Sequence, residues 1–105
     1  MKANYDRTYN INDVIRALKN KESFELNAGL KGNFDLLHIV IDSELALQQA
    51  ELTDRQKQVI DLYWFEDRTL SDVGSILGIS HQAVADSVKQ VKDKLQKVLD
   101  KWGAE

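Results

Sequence analysis

The sequence predicts an all-α fold, a helical bundle ending in one long last helix, on three observations. The chain of 105 residues has no proline, so nothing in it interrupts a helix covalently. Apolar residues recur at spacings of three and four, most plainly at Val84, Val88, Val91, Leu95, Val98 and Trp102. Three segments open on a residue suited to capping a helix, Asn12, Thr53 and Thr69, each with an acid or glutamine in the turn that follows. A hydrophobic content of 43% supports one core, and a second full-size domain does not fit.

Met1 to Asn10 is polar and aperiodic, and reads as an arm or a loosely docked segment. Asn12 then caps a short helix with Asp13 in its first turn and Val14, Ile15 and Leu18 on one side, ending in Lys19-Asn20-Lys21. Glu22 to Asn33 carries Gly29 and Gly32 and the turn-forming Lys31-Gly32-Asn33, so it reads as a loop with room for a short extended piece around Ser23 to Leu26. Asn33 caps the next helix, Phe34 to about Ala50, in which Leu36, Leu37, Ile39, Val40, Ile41, Leu45 and Leu47 cover most of the circumference. A helix of that kind is buried or shared with another chain. Leu37 to Ile41 alone would also suit a strand, but the continuation rich in Glu, Ala, Leu and Gln favours a helix.

Thr53-Asp54-Arg55-Gln56 has the spacing of a capping box, in which the cap hydroxyl and the Gln56 side chain satisfy each other's backbone N–H groups. The helix it starts carries Val59, Ile60, Leu62, Tyr63, Trp64 and Phe65, an aromatic cluster expected in the core, and stops in Glu66-Asp67-Arg68. The last helix is expected from Ser80 to near Trp102. Its valine-rich seam is heptad-like but spans fewer than three heptads, so packing on the chain's own helices is favoured over a homodimer, and the two are compatible.

Between these two helices lies the most informative stretch, Thr69 to Val84, which reads as two short helices joined by a tight turn. Thr69 caps the first, and Asp72 places a negative charge at its positive end. Val73, Leu77, Ile79 and Val84 supply the buried positions of two crossing helices, and Gly74 leaves out a side chain where the backbones come closest. Gly78 can take the positive φ that stops a helix, and Ser80 caps the next one, which carries His81, Gln82, Ala85, Asp86 and Lys89 on its outward face. This combination is that of a helix-turn-helix. An ordinary helical hairpin, with both glycines serving packing and turning only, is the alternative.

From Leu52 to about Leu99 the sequence resembles region 4 of bacterial sigma factors and the related sigma-like regulators. Leu52 to Ile60 is similar to that family's opening L-T-x-R-Q-x-x-V-I. Thr69, Leu70, Asp72, Val73, Gly74, Leu77, Gly78, Ile79, Ser80 and Val84 follow its T-L-x-E-I-A-x-x-L-G-I-S-x-x-x-V, and Lys94-Leu95 meets its closing K-L. The resemblance implies a domain that binds promoter DNA with its recognition helix in the major groove of the −35 element and can touch RNA polymerase and regulators. Two departures stand out. His81, Gln82, Ala83, Ala85 and Asp86 occupy a helix where the family usually has several arginines, and Ser87 stands where an apolar residue is common. Nothing matches the sigma region that melts the promoter, so a complete sigma factor is not expected. Small phage or prophage regulators with a private N-terminal segment are the nearest analogy.

On this reading residues 51–105 form the helix-turn-helix domain, and residues 1–50 form a helical segment for assembly or partner contact. Gln82 can contact adenine bidentately, His81 can donate to guanine or a phosphate, and Lys89 and Lys92 are placed for backbone phosphates. Asp86 repels phosphates but can accept from cytosine N4. Arg68 and Thr69 can grip a phosphate at the first helix's N-terminus, and Arg55 can do so at the preceding helix. Ser80 and Ala85 complete the candidate surface. Each of these residues also has a plain capping or solvated-surface role.

Charge points the other way. The net charge is −3, and residues 51–105 hold eight basic side chains against ten acidic ones. DNA affinity rests largely on phosphate neutralisation, so a lone domain of this balance binds weakly unless its charges are segregated or a partner adds contacts. The expected partners are double-stranded DNA, then RNA polymerase or another regulator; a homodimer through the N-terminal helix or the last helix remains open. A protein-interaction module that has lost DNA binding is the first alternative, and a small packaging subunit of a phage terminase, which would form a ring, is the second.

No cofactor or metal is expected. The chain has no cysteine, which excludes thiolate sites and cysteine nucleophiles. His38 and His81 are its only imidazoles, Asp13, Asp35, Asp42 and Glu44 read as solvated acids, and no phosphate loop or nucleophile motif occurs. Catalysis is not expected. The opening residues lack the apolar core of a signal peptide, and no run is long enough to span a bilayer, so a cytoplasmic setting without membrane attachment is expected.

Overall fold

The computed structural model describes residues 9–21 and 34–103, and the expected arm up to residue 8, loop over 22–33 and Asn33 cap lie outside them. Among the described residues there are five helices and no strand: α1 (Ile11–Lys19), α2 (Phe34–Gln49), α3 (Asp54–Ile60, continued by a π turn over Asp61–Phe65), α4 (Leu70–Leu77) and α5 (His81–Gly103). The stretch 37–41 is therefore helical. None of the helices among the described residues is long and apolar enough to cross a membrane.

α1 begins two residues earlier than expected. Asn10, not Asn12, is the cap, and its side chain accepts from the Asn12 N–H at 2.8 Å. Starting there brings Ile11 onto the apolar side with Val14, Ile15 and Leu18, where it is half-buried. α2 packs chiefly on α1. Its apolar circumference does not translate into burial all round: Val40 and Ala46 are buried, but Ile41 is 58% exposed, while Asp42 and Ser43 are buried instead. Asp42 tolerates this because the Tyr9 hydroxyl donates to its Oδ2 at 2.7 Å.

The capping box of α3 forms as the sequence predicts, with Thr53 Oγ1 accepting from the Gln56 N–H and Gln56 Oε1 accepting from the Thr53 N–H, both at 3.1 Å. The aromatic cluster divides. Trp64 is 2% exposed, but Phe65 is 43% exposed and Tyr63 only half-buried. Consecutive residues on a helix point about 100° apart, so Val59, Ile60 and Trp64 take the core face and Phe65 is turned off it. Past Ile60 the helix winds more widely: the Glu66 N–H reaches back five residues to the Asp61 carbonyl at 3.0 Å. It then stops without a glycine, Asp67 taking a left-handed φ of 55° and the Arg68 N–H closing on the Leu62 carbonyl at 3.0 Å.

The core runs along α5. Val84, Val91 and Leu95 are fully buried, Val88, Val98, Leu99 and Trp102 are at most 9% exposed, and Val14 and Leu18 of α1, Ala46 of α2, Val59 and Trp64 of α3 and Val73 of α4 join them in one cluster. The heptad-like seam is thus filled by the chain's own helices. At the far end of α5 the Trp102 indole N–H donates to Gln49 Oε1 at 3.0 Å, fastening α5 to α2.

One polar cluster interrupts this apolar scheme. Gln56, 6% exposed, accepts from the Lys94 ammonium at 2.7 Å and donates to Gln90 Oε1 at 3.0 Å, while Lys94 also reaches the Glu51 carbonyl at 3.4 Å. The glutamine of the α3 capping box is thereby bonded to two turns of α5. Gln56→Ala is expected to lower the unfolding free energy by about 1–3 kcal/mol, since Lys94 and Gln90 lose a partner in a part-buried site. Urea unfolding of the variant checks this, and an unchanged midpoint would show that water replaces the amide at no cost.

Candidate nucleic-acid interface

The segment from Thr69 to Ser80 owes its shape to two glycines with different tasks. Gly78 ends α4 at φ 71°, ψ 33°, in the left-handed region, where a side chain would meet nothing within 4 Å. Its requirement is purely conformational. Gly74 is helical and its requirement is purely spatial: a Cβ there would lie 2.6 Å from the Ile79 carbonyl oxygen and 3.4 Å from the His81 nitrogen. The sequence suggests a close approach of two helix backbones at Gly74. The structure instead brings the turn back over it, and the Ile79 N–H donates to the Gly74 carbonyl at 2.9 Å. This six-residue closure is a Schellman-type helix end.

α4 and α5 are capped as expected. Thr69 Oγ1 accepts from the Asp72 N–H at 3.0 Å, and Ser80 Oγ from the Ala83 N–H at 3.1 Å. Both hydroxyls are committed to the protein's own backbone. Beyond Ser80, the outward side of α5 presents His81, Gln82, Asp86, Lys89 and Lys92, all exposed, with Ala85 half-buried at its edge. One side of a single helix thus brings together two lysines, an imidazole, an amide and one carboxylate.

The remaining candidate residues are already engaged. Arg68 pairs with Glu66 at 3.3 Å, with both side chains roughly half exposed. Such a solvated pair is worth only about 0.2–1 kcal/mol, so a phosphate can displace it. The Arg55 guanidinium, in the first turn of α3, reaches the Leu77 carbonyl at 3.5 Å, at the last turn of α4. The structure therefore attaches Arg55 to the helix-turn-helix turn. Gln82 Nε2 donates to Asp86 Oδ1 at 3.2 Å, a pairing at the four-residue spacing that the sequence displays. Among the described residues no group of His, Asp or Glu has the arrangement to hold a metal ion.

Two helices joined by a turn that only glycine permits, the second exposing a polar side from its first residue, make this a helix-turn-helix protein. Residues 50–97 match the family Sigma-70, region 4. That stretch is thus similar to sigma factor region 4, within an all-α chain that has an elongated last helix. It is similar to UPF0122 proteins from several bacteria. It is 37% identical to one from Caldanaerobacter subterraneus subsp. tengcongensis over 54 residues, 51% of this chain and 46% of the relative. With one from Listeria innocua it shares 31% identity over 55 residues, 52% of this chain and 50% of that one. With one from Streptococcus gordonii the identity is 38% over 47 residues, 45% and 43% of the two chains. The chain thus spans about half the length of the curated relatives it matches. No solved structure matches it.

Proposed function

We propose that this protein is a sequence-specific regulator of transcription that binds double-stranded DNA, with the N-terminal part of α5 in the major groove. The observation that carries the reading is the exposed side from Ser80 to Lys89 on the second helix of a sigma region 4-like helix-turn-helix. On this reading Gln82 and His81 meet base edges, Ala85 lets the helix approach closely, and Lys89, Lys92 and Arg68 contact phosphates. Thr69 and Ser80 hold the two helix starts whose backbone N–H groups face the anionic strand, and Arg55 braces the turn between them. The role is one of binding and not of catalysis. Residues 1–50 serve assembly or a protein partner, with RNA polymerase the first candidate.

Few cations face the groove, so the affinity is modest, and log K falls with log salt by roughly 0.9 per phosphate contacted. Selection from a random duplex pool at two salt concentrations tests the proposal: an enriched motif whose binding weakens with salt supports it. Gln82→Ala is expected to cost about 1–3 kcal/mol of discrimination at one base pair. Equal affinities of wild type and variant for specific and scrambled duplexes would remove Gln82 from the groove.

A second reading, a protein-interaction module without DNA binding, draws on the net charge of −3 and on the internal partners of Arg55, Arg68 and Gln82. No retention of any duplex at low salt would favour it, and binding to RNA polymerase would then be assayed directly. The mass of the particle in the same sample separates a ring-forming packaging subunit from a monomer or dimer.

A further inference from the structure

Asp86 is out of place on a surface meant for a polyanion. It is exposed, on the same side of α5 as Gln82, and its charge opposes Lys89 and Lys92 wherever phosphates approach. It does, however, accept a hydrogen bond from Gln82 Nε2 at 3.2 Å. A carboxylate can only accept, so this contact turns the nitrogen end of the Gln82 amide toward Asp86 and favours one orientation of the long side chain. What remains to face outward is one N–H of Nε2 and the lone pairs of Oε1, a donor beside an acceptor. Adenine offers the complement in the major groove, N7 as acceptor and the N6 amino group as donor, whereas guanine offers two acceptors, N7 and O6.

We infer that Asp86 is a positioning residue: through its hydrogen bond it fixes the Gln82 amide in the orientation that selects adenine, and it does not itself contact DNA. The inference rests on the DNA-binding reading above and deepens it. Asp86 also works on the other side of specificity, since its charge weakens attachment to any duplex and leaves the matched base to make up the difference. The same chain provides an internal comparison. Gln96 Nε2 donates to Asp100 Oδ1 at 2.9 Å with the same spacing, more than three turns further along α5. If such pairs served helix stability alone, the two would be interchangeable in their effects.

The test measures binding of the full chain to the site obtained by selection and to the same duplex with the adenine opposite Gln82 replaced by guanine, at two salt concentrations. Five proteins are compared: wild type, Gln82→Ala, Asp86→Ala, Asp86→Asn and Asp100→Ala. Asp86→Ala is expected to reduce the adenine preference by roughly 2- to 10-fold, corresponding to the ~0.5–1.5 kcal/mol needed to immobilise one long side chain. It should at the same time raise affinity for every duplex, most at low salt. Asp86→Asn removes the charge but keeps an acceptor for Gln82, so it should raise general affinity while restoring the adenine preference. Asp100→Ala should leave that preference at its wild-type value.

A preference unchanged in Asp86→Ala, with only general affinity raised, overturns the inference and leaves Asp86 a plain surface charge. Loss of a cytosine preference at a neighbouring position overturns it too, by making Asp86 a direct reader. In both cases the DNA-binding reading stands. If wild type retains no duplex at low salt, that reading falls and the inference falls with it.

Discussion

Trp102→Ala is expected to lower the unfolding free energy by about 3–5 kcal/mol, the cost of deleting a large aromatic side chain from a packed site. Trp102 is 7% exposed, closes the seam of α5 and gives its indole N–H to Gln49 of α2. The loss therefore has two parts, a void at the end of the core and the hydrogen bond to Gln49. Trp102→Phe separates them, because it keeps most of the ring and drops the donor, and it should cost about 1 kcal/mol beyond the small change in volume. Thermal unfolding followed by circular dichroism reads both. The alanine variant should melt more than about 12 °C below wild type, at roughly 4–8 °C per kcal/mol for a domain of this size. A loss under 1 kcal/mol in the alanine variant would mean that α2 and the end of α5 do not stabilise each other.

The second large effect belongs to Gly74. Leucine there has to drive its Cβ and everything beyond into the Ile79 carbonyl, which a Cβ alone would already approach to 2.6 Å. The obstacle is backbone, itself pinned by the hydrogen bond from Ile79 to Gly74, and cannot rotate away as a side chain would. Gly74→Leu is expected to cost about 3 kcal/mol or more, at the upper end of what overpacking does. Gly74→Ala is the more delicate measurement. Alanine gains about 1 kcal/mol over glycine inside a helix, so the sign shows whether the turn can yield. We expect a net loss. A stabilised alanine variant would show that the turn moves outward freely, and then the start of α5 is less fixed than the structure depicts.

The sequence made legible what depends on neighbours along the chain. The Thr53 capping box, the Thr69 and Ser80 caps, the left-handed stop at Gly78 and the seam from Val84 to Trp102 are all matters of spacing within a few residues, and they stand where spacing put them. What escaped depends on partners distant in sequence or on winding. Nothing local announces that Gln56 lies under Lys94 and Gln90, because the pairs are separated by 38 and 34 positions. The wide turn at Asp61–Phe65 has no signature in composition, and a cluster of aromatic residues does not show that Phe65, next to the buried Trp64, turns off the core face. An apolar circumference predicts a helix buried or shared with another chain, and within this chain burial follows the one side that meets α1 and the interior, so Ile41 is exposed. The candidate surface was legible as a list of exposed side chains. Its internal pairings, Arg55 with the turn and Arg68 with Glu66, required coordinates.

The length of α5 has a mechanical consequence. Twenty-three residues at 1.5 Å each make a rod of about 35 Å with no proline or glycine to bend it before Gly103. One end is pegged by Trp102 to α2, and the other carries His81 and Gln82. For a rod of this length a tilt of only about 5° at the peg swings the tip by roughly 3 Å, the span of a hydrogen bond. Where the tip carrying Gln82 stands is accordingly set by the Trp102–Gln49 fastening at the far end as well as by the turn beside it.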